Sequence, residues 1–254
     1  MANPIEYNLF IHEKITNPEP LVSSGVLYRG GKIVIYGKYK SMKSMLAQRL
    51  AICLANGEPW IGFDTLPQGV PVLYLQLEIP APLMQKRLLK TGKVKLKQQL
   101  FLWNEHFLKI DNDVGLKRLA EQVKLLKPAV LIIDPVYKVV GGDLLSTQHI
   151  QQLVDYIDLL IADCNVAVVM VHHTRKGIFE DWGSDDMLGS VIFSAWADSV
   201  IKIERKGLNI TVKFEVMRHA EDELEPREFI FTPELDFVNP VLVTGNGVPA
   251  SRQL

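Results

Sequence analysis

One stretch constrains this chain more than any other: Lys32 to Ala51, reading KIVIYGKYKSMKSMLAQRLA. Ile33 to Tyr36 is a β-branched and aromatic run, and Gly37 interrupts it. Met45, Leu46, Leu50 and Ala51 then recur at helical spacing. The stretch reads as a strand, a tight loop and a helix.

Gly37, Lys43 and Ser44 fall on three of the four diagnostic places of the pattern G-x-x-x-x-G-K-[ST]. Met42 stands where the second glycine belongs, so the backbone there approaches a phosphate past a side chain. In such a loop successive backbone N–H groups and the positive end of the following helix surround the β-phosphate; the lysine bridges β and γ oxygens, and the hydroxyl binds Mg²⁺. The candidate nucleotide-contacting residues are therefore Gly37, Lys38, Tyr39, Lys40, Ser41, Met42, Lys43, Ser44 and Met45. A lysine-rich surface turn between a strand and a helix is the plain alternative for the loop taken alone.

With 254 residues, 48% hydrophobic and 22% charged, the chain can bury a full core as one domain. No apolar run has the length of a membrane span, and Met1 to Glu6 has no basic region followed by an apolar stretch, which points to a cytoplasmic protein. Cys53 and Cys164 sit in apolar helical contexts and read as buried free thiols, not a disulfide or thiolate metal site. A net charge of −1 argues against coating nucleic acid by bulk charge and leaves a local basic channel in an oligomer open. Charge is uneven: Lys86, Arg87, Lys90, Lys93, Lys95 and Lys97 form a basic stretch, and Glu221, Asp222, Glu223, Glu225 and Glu228 an acidic one. Each alone reads as solvated surface.

Residues 1–24, with Pro4, Pro18 and Pro20, read as an extended arm or cap, and Val26 to Gly31 as a short strand and glycine turn. The helix after the loop stops at Asn56-Gly57. Val72 to Glu78 is a continuously apolar strand ending in a carboxylate, and a helix starts near Leu83. Ligands bind at the carboxyl edge of open parallel sheets, so Glu78 is a candidate for positioning an attacking water. Leu100 to Trp103 reads as a strand, followed by a helix from Asp113 to Lys127. Ala129 to Pro135 (AVLIIDP) is a buried strand ending in Asp134, a candidate Mg²⁺ carboxylate expected beside the strand that leads to the loop.

After a loop at 139–147 and a helix from Thr147 to Asp163, Val166 to His173 is another buried strand, ending in His172 and His173. A histidine at that edge could hydrogen-bond a γ-phosphate, and strand alternation lets only one of the two face it. Zinc is disfavoured, because no third ligand is spaced nearby. Residues 174–190 form a long, polar, glycine-containing loop. Asp198 to Lys206, Leu208 to Val216 and Glu228 to Phe231 alternate as antiparallel strands, with Arg218 and His219 after the middle one, and 238–254 read as a weakly ordered tail.

The chain resembles the RecA superfamily of P-loop ATPases, most closely the RepA-like hexameric replicative helicases and RepA-like ATPases of plasmids, phages and mobile elements. The likeness covers about residues 20–235. It rests on GKYKSMKS at 37–44, YLQLE at 74–78 followed by Arg87, LIIDP at 131–135, VHHTRK at 171–176, LGS at 188–190, ADSVIKI at 197–203 and Arg218. The resemblance implies an α/β fold with a mainly parallel central sheet, helices on both faces and an antiparallel C-terminal extension. It implies ATP and Mg²⁺ as cofactors. Lys43 and Ser44 are then the loop lysine and Mg²⁺ ligand, Asp134 the second Mg²⁺ carboxylate and Glu78 the catalytic glutamate. His172 or His173 becomes the phosphate sensor, Arg87 a nucleotide contact, and Arg218 the arginine finger offered to a neighbouring subunit. It further implies a homo-oligomeric ring, a hexamer, with loops 141–147 and 175–190 facing single-stranded DNA in a central channel. Two departures from the pattern are Met42 and the Met187-Leu188 pair before Gly189-Ser190. The alternatives are a recombinase-like or regulatory ATPase that does not unwind DNA, and a nucleotide-binding scaffold with weakened turnover.

Overall fold

The computed structural model describes residues 4–92, 95–142, 147–173, 190–232, 234 and 236–238. A nine-stranded sheet dominates it. Its parallel part contains β3 (Lys32–Gly37), β4 (Val72–Gln76), β5 (Leu100–Asn104), β6 (Val130–Asp134), β7 (Ala167–His173) and β8 (Ser199–Lys206). β9 (Asn209–Met217), β10 (Arg227–Phe231) and β11 (Phe237–Val238) extend it antiparallel beyond β8, giving the lateral order β11-β10-β9-β8-β3-β7-β6-β4-β5. β1 (Pro20–Val22) and β2 (Leu27–Tyr28) pair as a separate ribbon.

The central strands are buried along their length, with every residue of β4 and β6 inaccessible, because helices cover both faces. On one face lie α2 (Lys43–Asn56) and α3 (Ala81–Leu89). Leu46, Leu50 and Leu54 of α2 pack there with Ile33, Ile35, Val169 and Val171, and the ribbon closes over them with Leu21, Val22 and Leu27. On the other face lie α4 (Asp113–Leu126), α5 (Thr147–Cys164) and α6 (Ser190–Trp196). Leu119, Val123, Ile150, Leu153 and Phe193 meet Val34, Leu131, Val168 and Met170 there. Helix α2 is enclosed on nearly all sides, so its apolar positions run around it and not along one stripe.

Most sequence-derived boundaries hold within two residues, helped by legible stops: Gly57 ends α2 and Lys127 ends α4, both left-handed. There are four differences. The arm contains a strand, β1, whose Leu21 and Val22 are fully buried despite the flanking prolines, and a one-turn helix α1 (Tyr7–Phe10). The helix α6 was not expected. Cys53 is buried as expected, whereas Cys164, at the end of α5, is partly exposed. The strand beside β3 is β7, not β6, so Asp134 stands one strand further from the loop strand than expected. Residues 143–146, 174–189 and 239–254, which carry most of the two proposed channel loops and the tail, lie outside the described residues.

Candidate functional site

The carboxyl edge of the parallel strands gathers the candidate residues. β3 ends in Gly37, whose backbone passes so close to β8 that a Cβ would lie 2.3 Å from the Ile203 carbonyl oxygen. A side chain is excluded there by the sheet itself. The loop Lys38 to Met42 leads into α2, whose first residue is Lys43. Met42 caps the helix in the left-handed region, φ 78° and ψ 19°, the conformation in which glycine is usual. Its side chain lies partly buried against the α2 face of the core. Lys38, Tyr39 and Lys40 are exposed, while Ser41, Lys43 and Met45 are buried.

The Lys43 ammonium donates to the carbonyl oxygens of Gly37 and Lys38, at 2.8 Å each. Burial pulls its pKa down to about 8, against the opposing pull of Asp134 and Glu78. Ser44, one residue on, reaches across β7: its Oγ donates to Asp134 Oδ1 at 2.9 Å. Tyr74, in the middle of β4, donates to the other carboxylate oxygen of Asp134 at 2.5 Å. Burial pushes the Asp134 carboxyl up to about 6, and Glu78 adds to that, while the bonds from Tyr74 and Ser44 and the charge of Arg87 oppose it. Burial and the adjacent Asp134 also keep Tyr74 a neutral donor, well above the usual phenol range.

Arg87 approaches from α3, half-buried, with its pKa lowered by burial and supported by Tyr74 and Asp134. Its Nη1 and the Ser41 Oγ are buried without a hydrogen-bond partner among the described residues. Glu78 lies two residues past β4 on a turn held by the fully buried Gln76, whose Oε1 accepts from the Glu78 N–H at 2.8 Å and from the Ile79 N–H at 3.3 Å. Register pairs Gln76 with Asp134, so the two strand ends stand level. The Glu78 carboxylate accepts a short hydrogen bond from the Tyr137 hydroxyl, which rises from the 3-10 turn Val136–Lys138 after β6.

The two histidines separate as strand alternation requires. His173 is level with Gly37 and rests against Tyr39 and Tyr137 with ring centroids 6.3 and 5.6 Å away; burial, and then the Lys43 ammonium, lower its pKa. His172 points to the opposite face, its ring 5.0 Å from that of Phe193. Arg218 is not part of this edge. It follows β9, whose end pairs with the start of β8, and its guanidinium donates to the Ala195 carbonyl at the far, amino edge of the parallel strands. Its backbone N–H donates to Asp198 O at 2.9 Å, which fixes it there.

These donors suit a magnesium nucleotide. A buried carboxylate with raised pKa, a hydroxyl 2.9 Å from it, and two orphaned buried donors are groups that a cation and phosphate oxygens would satisfy. Among the described residues no group of three or more His, Cys, Asp or Glu could hold a metal by itself.

Residues 5–177 match the AAA_25 family, described as an AAA domain. The chain belongs to that family. This AAA domain is also similar in structure to a KaiC-like protein from the hyperthermophilic archaeon Pyrococcus horikoshii OT3, with a TM-score of 0.61 over 86% of this chain and 92% of that one, at 13% identity. No curated protein sequence matches the chain. The family makes this chain a P-loop ATPase domain, and its fold is that of the RecA-like ATPases. Among the described residues no helix is long and apolar enough to cross a membrane.

Sequence reasoning missed Tyr74, Gln76 and Tyr137. Tyr74 and Gln76 lie inside an apolar strand run, where they read as core, and Tyr137 lies two residues beyond the strand-end Pro135. The signal for Gln76 was a buried amide next to a strand-end carboxylate; Tyr137 gave none.

Proposed function

We propose that this chain hydrolyses ATP with Mg²⁺ as one subunit of a ring. The observation that supports this most is the convergence of Lys43, Ser44, Asp134 and Glu78, drawn from β3/α2, β4 and β6, on one carboxyl edge of a parallel sheet. Lys43, the loop N–H groups and Arg87 hold the phosphates, and Ser44 with Asp134 holds the ion. When bound, such an ion would supply positive charge to offset the negative charge that builds on the phosphoryl group in transfer. Glu78 takes a proton from water as its oxygen attacks the γ-phosphorus; the bond to the β–γ bridging oxygen breaks, and ADP leaves with that electron pair. In this reading His173, level with Gly37 and beside Tyr39 of the loop, serves as the γ-phosphate sensor, and His172, turned toward Phe193, does not.

Arg218 is too far along the sheet to serve its own loop, which favours a finger supplied to the next subunit. A hexamer that moves on or unwinds single-stranded DNA extends this reading. A regulatory or recombinase-like ATPase that does not unwind is the second reading, favoured by a net charge of −1 and few basic residues in the 141–147 and 175–190 segments. The test is steady-state ATP turnover with and without single-stranded DNA at low salt, against Lys43→Ala and Glu78→Gln. Turnover that both variants abolish and DNA stimulates supports the motor. Turnover indifferent to DNA moves the function to the second reading, and turnover that survives Glu78→Gln overturns the proposed chemistry.

A further inference from the structure

Glu78 and His173 come from different strands, β4 and β7, separated in the sheet by β6. Both meet the same side chain. The Tyr137 hydroxyl donates to Glu78 Oε1. Its ring meets that of His173 in a T-shaped pair, with centroids 5.6 Å apart and planes at 67°, and His173 in turn lies tilted against Tyr39 of the phosphate loop at 6.3 Å. Tyr137 is itself firmly seated. It belongs to a 3-10 turn whose last carbonyl, Lys138 O, accepts from the Lys109 ammonium at 2.6 Å, as does Val140 O just beyond the turn at 3.1 Å. The Leu77 N–H donates to Asp134 O at 3.0 Å, tying the end of β4 to the end of β6 just before this turn. Glu78 is otherwise an exposed carboxylate on a loop, free to rotate about its χ angles. A base left to rotate would spend much of its time off the line of attack, and fixing it by one hydrogen bond removes that loss.

We infer that Tyr137 is a positioning residue that aims Glu78 at the attacking water and ties its aim to His173. This rests on the ATPase reading above. The hydroxyl holds the carboxylate where it faces Lys43, and the ring rests on the histidine proposed to feel the γ-phosphate. A change at His173 on loss of that phosphate therefore reaches the water-activating group through one rigid aromatic side chain. Burial, and then Glu78, keep the Tyr137 phenol protonated across the physiological range, so it remains a donor.

The test compares Tyr137→Phe, which keeps the ring and deletes the hydroxyl, with wild type, Glu78→Gln and the double variant, all as the full chain. A role in aiming the base acts on the transition state and not on nucleotide binding, so kcat should fall by about tenfold with KM and MgADP affinity unchanged. Affinity for MgADP with aluminium fluoride should fall by a similar factor. In the Glu78→Gln background, adding Tyr137→Phe should change the residual turnover by less than about twofold, since the hydroxyl then has no carboxylate to aim.

Wild-type turnover lost in Glu78→Gln but unchanged in Tyr137→Phe overturns this inference and leaves the ATPase reading standing. A Tyr137→Phe effect that persists undiminished without Glu78, or one confined to KM, assigns the tyrosine to packing or nucleotide binding and overturns it too. Turnover that survives Glu78→Gln overturns the ATPase chemistry and, with it, this role.

Discussion

The Lys43 ammonium is folded back on Gly37, donating at 2.8 Å to the carbonyl that ends the loop strand. The ammonium has three donors, so a lysine that bridges β and γ phosphate oxygens gives up at least one of its two carbonyl partners, Gly37 O and Lys38 O, for a charged acceptor.

Lys43→Ala should therefore weaken MgATP binding by about 10- to 100-fold, the worth of one or two charge-assisted hydrogen bonds. It should leave the melting temperature of the nucleotide-free chain equal or higher. The pH dependence follows from the lowered pKa. Between pH 8 and 10.5 the unfolded chain binds the lysine proton and the folded one does not, so nucleotide-free stability should rise across that window. Nucleotide phosphates favour the ammonium, so above pH 8 binding should take up a proton and weaken with rising pH. Calorimetry in two buffers of different ionisation enthalpy measures that proton directly; no uptake near pH 9 would refute it.

Met42 holds a left-handed φ of 78° at the position just before that lysine. A non-glycine residue there costs about 1 kcal/mol, and its side chain flanks the path by which the backbone approaches a phosphate. Met42→Gly removes both costs but also gives up the contact of the methionine with the core. Stability should then stay within about 1 kcal/mol of wild type while MgATP affinity tightens several-fold. Fluorescent-nucleotide titration with a parallel thermal melt separates the two effects, and weaker binding with unchanged stability would show that Met42 itself contacts the ligand.

Asp134 carries a raised pKa of about 6 in a fully buried place. Its folded value lies above the unfolded one of 3.8, so the folded chain binds more protons in between. Stability should then fall as pH rises through about 4 to 6 and stay lowered above that, by on the order of 3 kcal/mol for one group. Asp134→Asn keeps an oxygen for one of the two hydroxyls, offers its NH2 to the other, which turns to accept, and removes the charge, so at pH 7.5 the nucleotide-free variant should melt several degrees higher than wild type. Adding magnesium and ATP should reverse the order, since the wild-type carboxylate then gains its cation and the amide does not. A variant that is less stable without ligand would mean that Asp134 is already compensated in the fold and that its role is structural.

The position of the candidate residues was legible where a polar group ends an apolar strand. Glu78, Asp134 and His173 stand at the ends of β4, β6 and β7, and one-dimensional pattern suffices to place them on a common edge. The lateral order of those strands was not legible. Nothing in a run of valines and isoleucines says that β7 slots between β3 and β6, and that order decides why Ser44 must reach over a strand to meet Asp134. The choice between His172 and His173 needed register: pairing Gly37 with His173 puts that ring on the loop's side and turns its neighbour toward Phe193. Tyr74 was hidden for a related reason, since a tyrosine within a buried run looks like packing until the strand opposite is known to end in a carboxylate.

Arg218 gives the sharpest test of assembly. It is anchored at the amino edge of the sheet through Ala195 and Asp198, while the phosphate loop lies at the carboxyl edge, so no side-chain rotation brings it to its own nucleotide. If it acts at all, it acts on another copy. Arg218→Ala should then bind MgATP as wild type does and lose turnover by about 10³-fold or more, the worth of a finger supplied in trans. Wild-type turnover per subunit should rise with protein concentration. The decisive measurement mixes two inactive variants. Lys43→Ala keeps the finger and lacks the site, and Arg218→Ala keeps the site and lacks the finger. Mixed assemblies place one beside the other, so turnover should return on mixing, pass through a maximum with composition, and disappear again when a Lys43→Ala, Arg218→Ala double variant replaces the finger donor. Turnover that stays absent at every ratio, while light scattering shows the variants assembling together, would remove Arg218 from the active site.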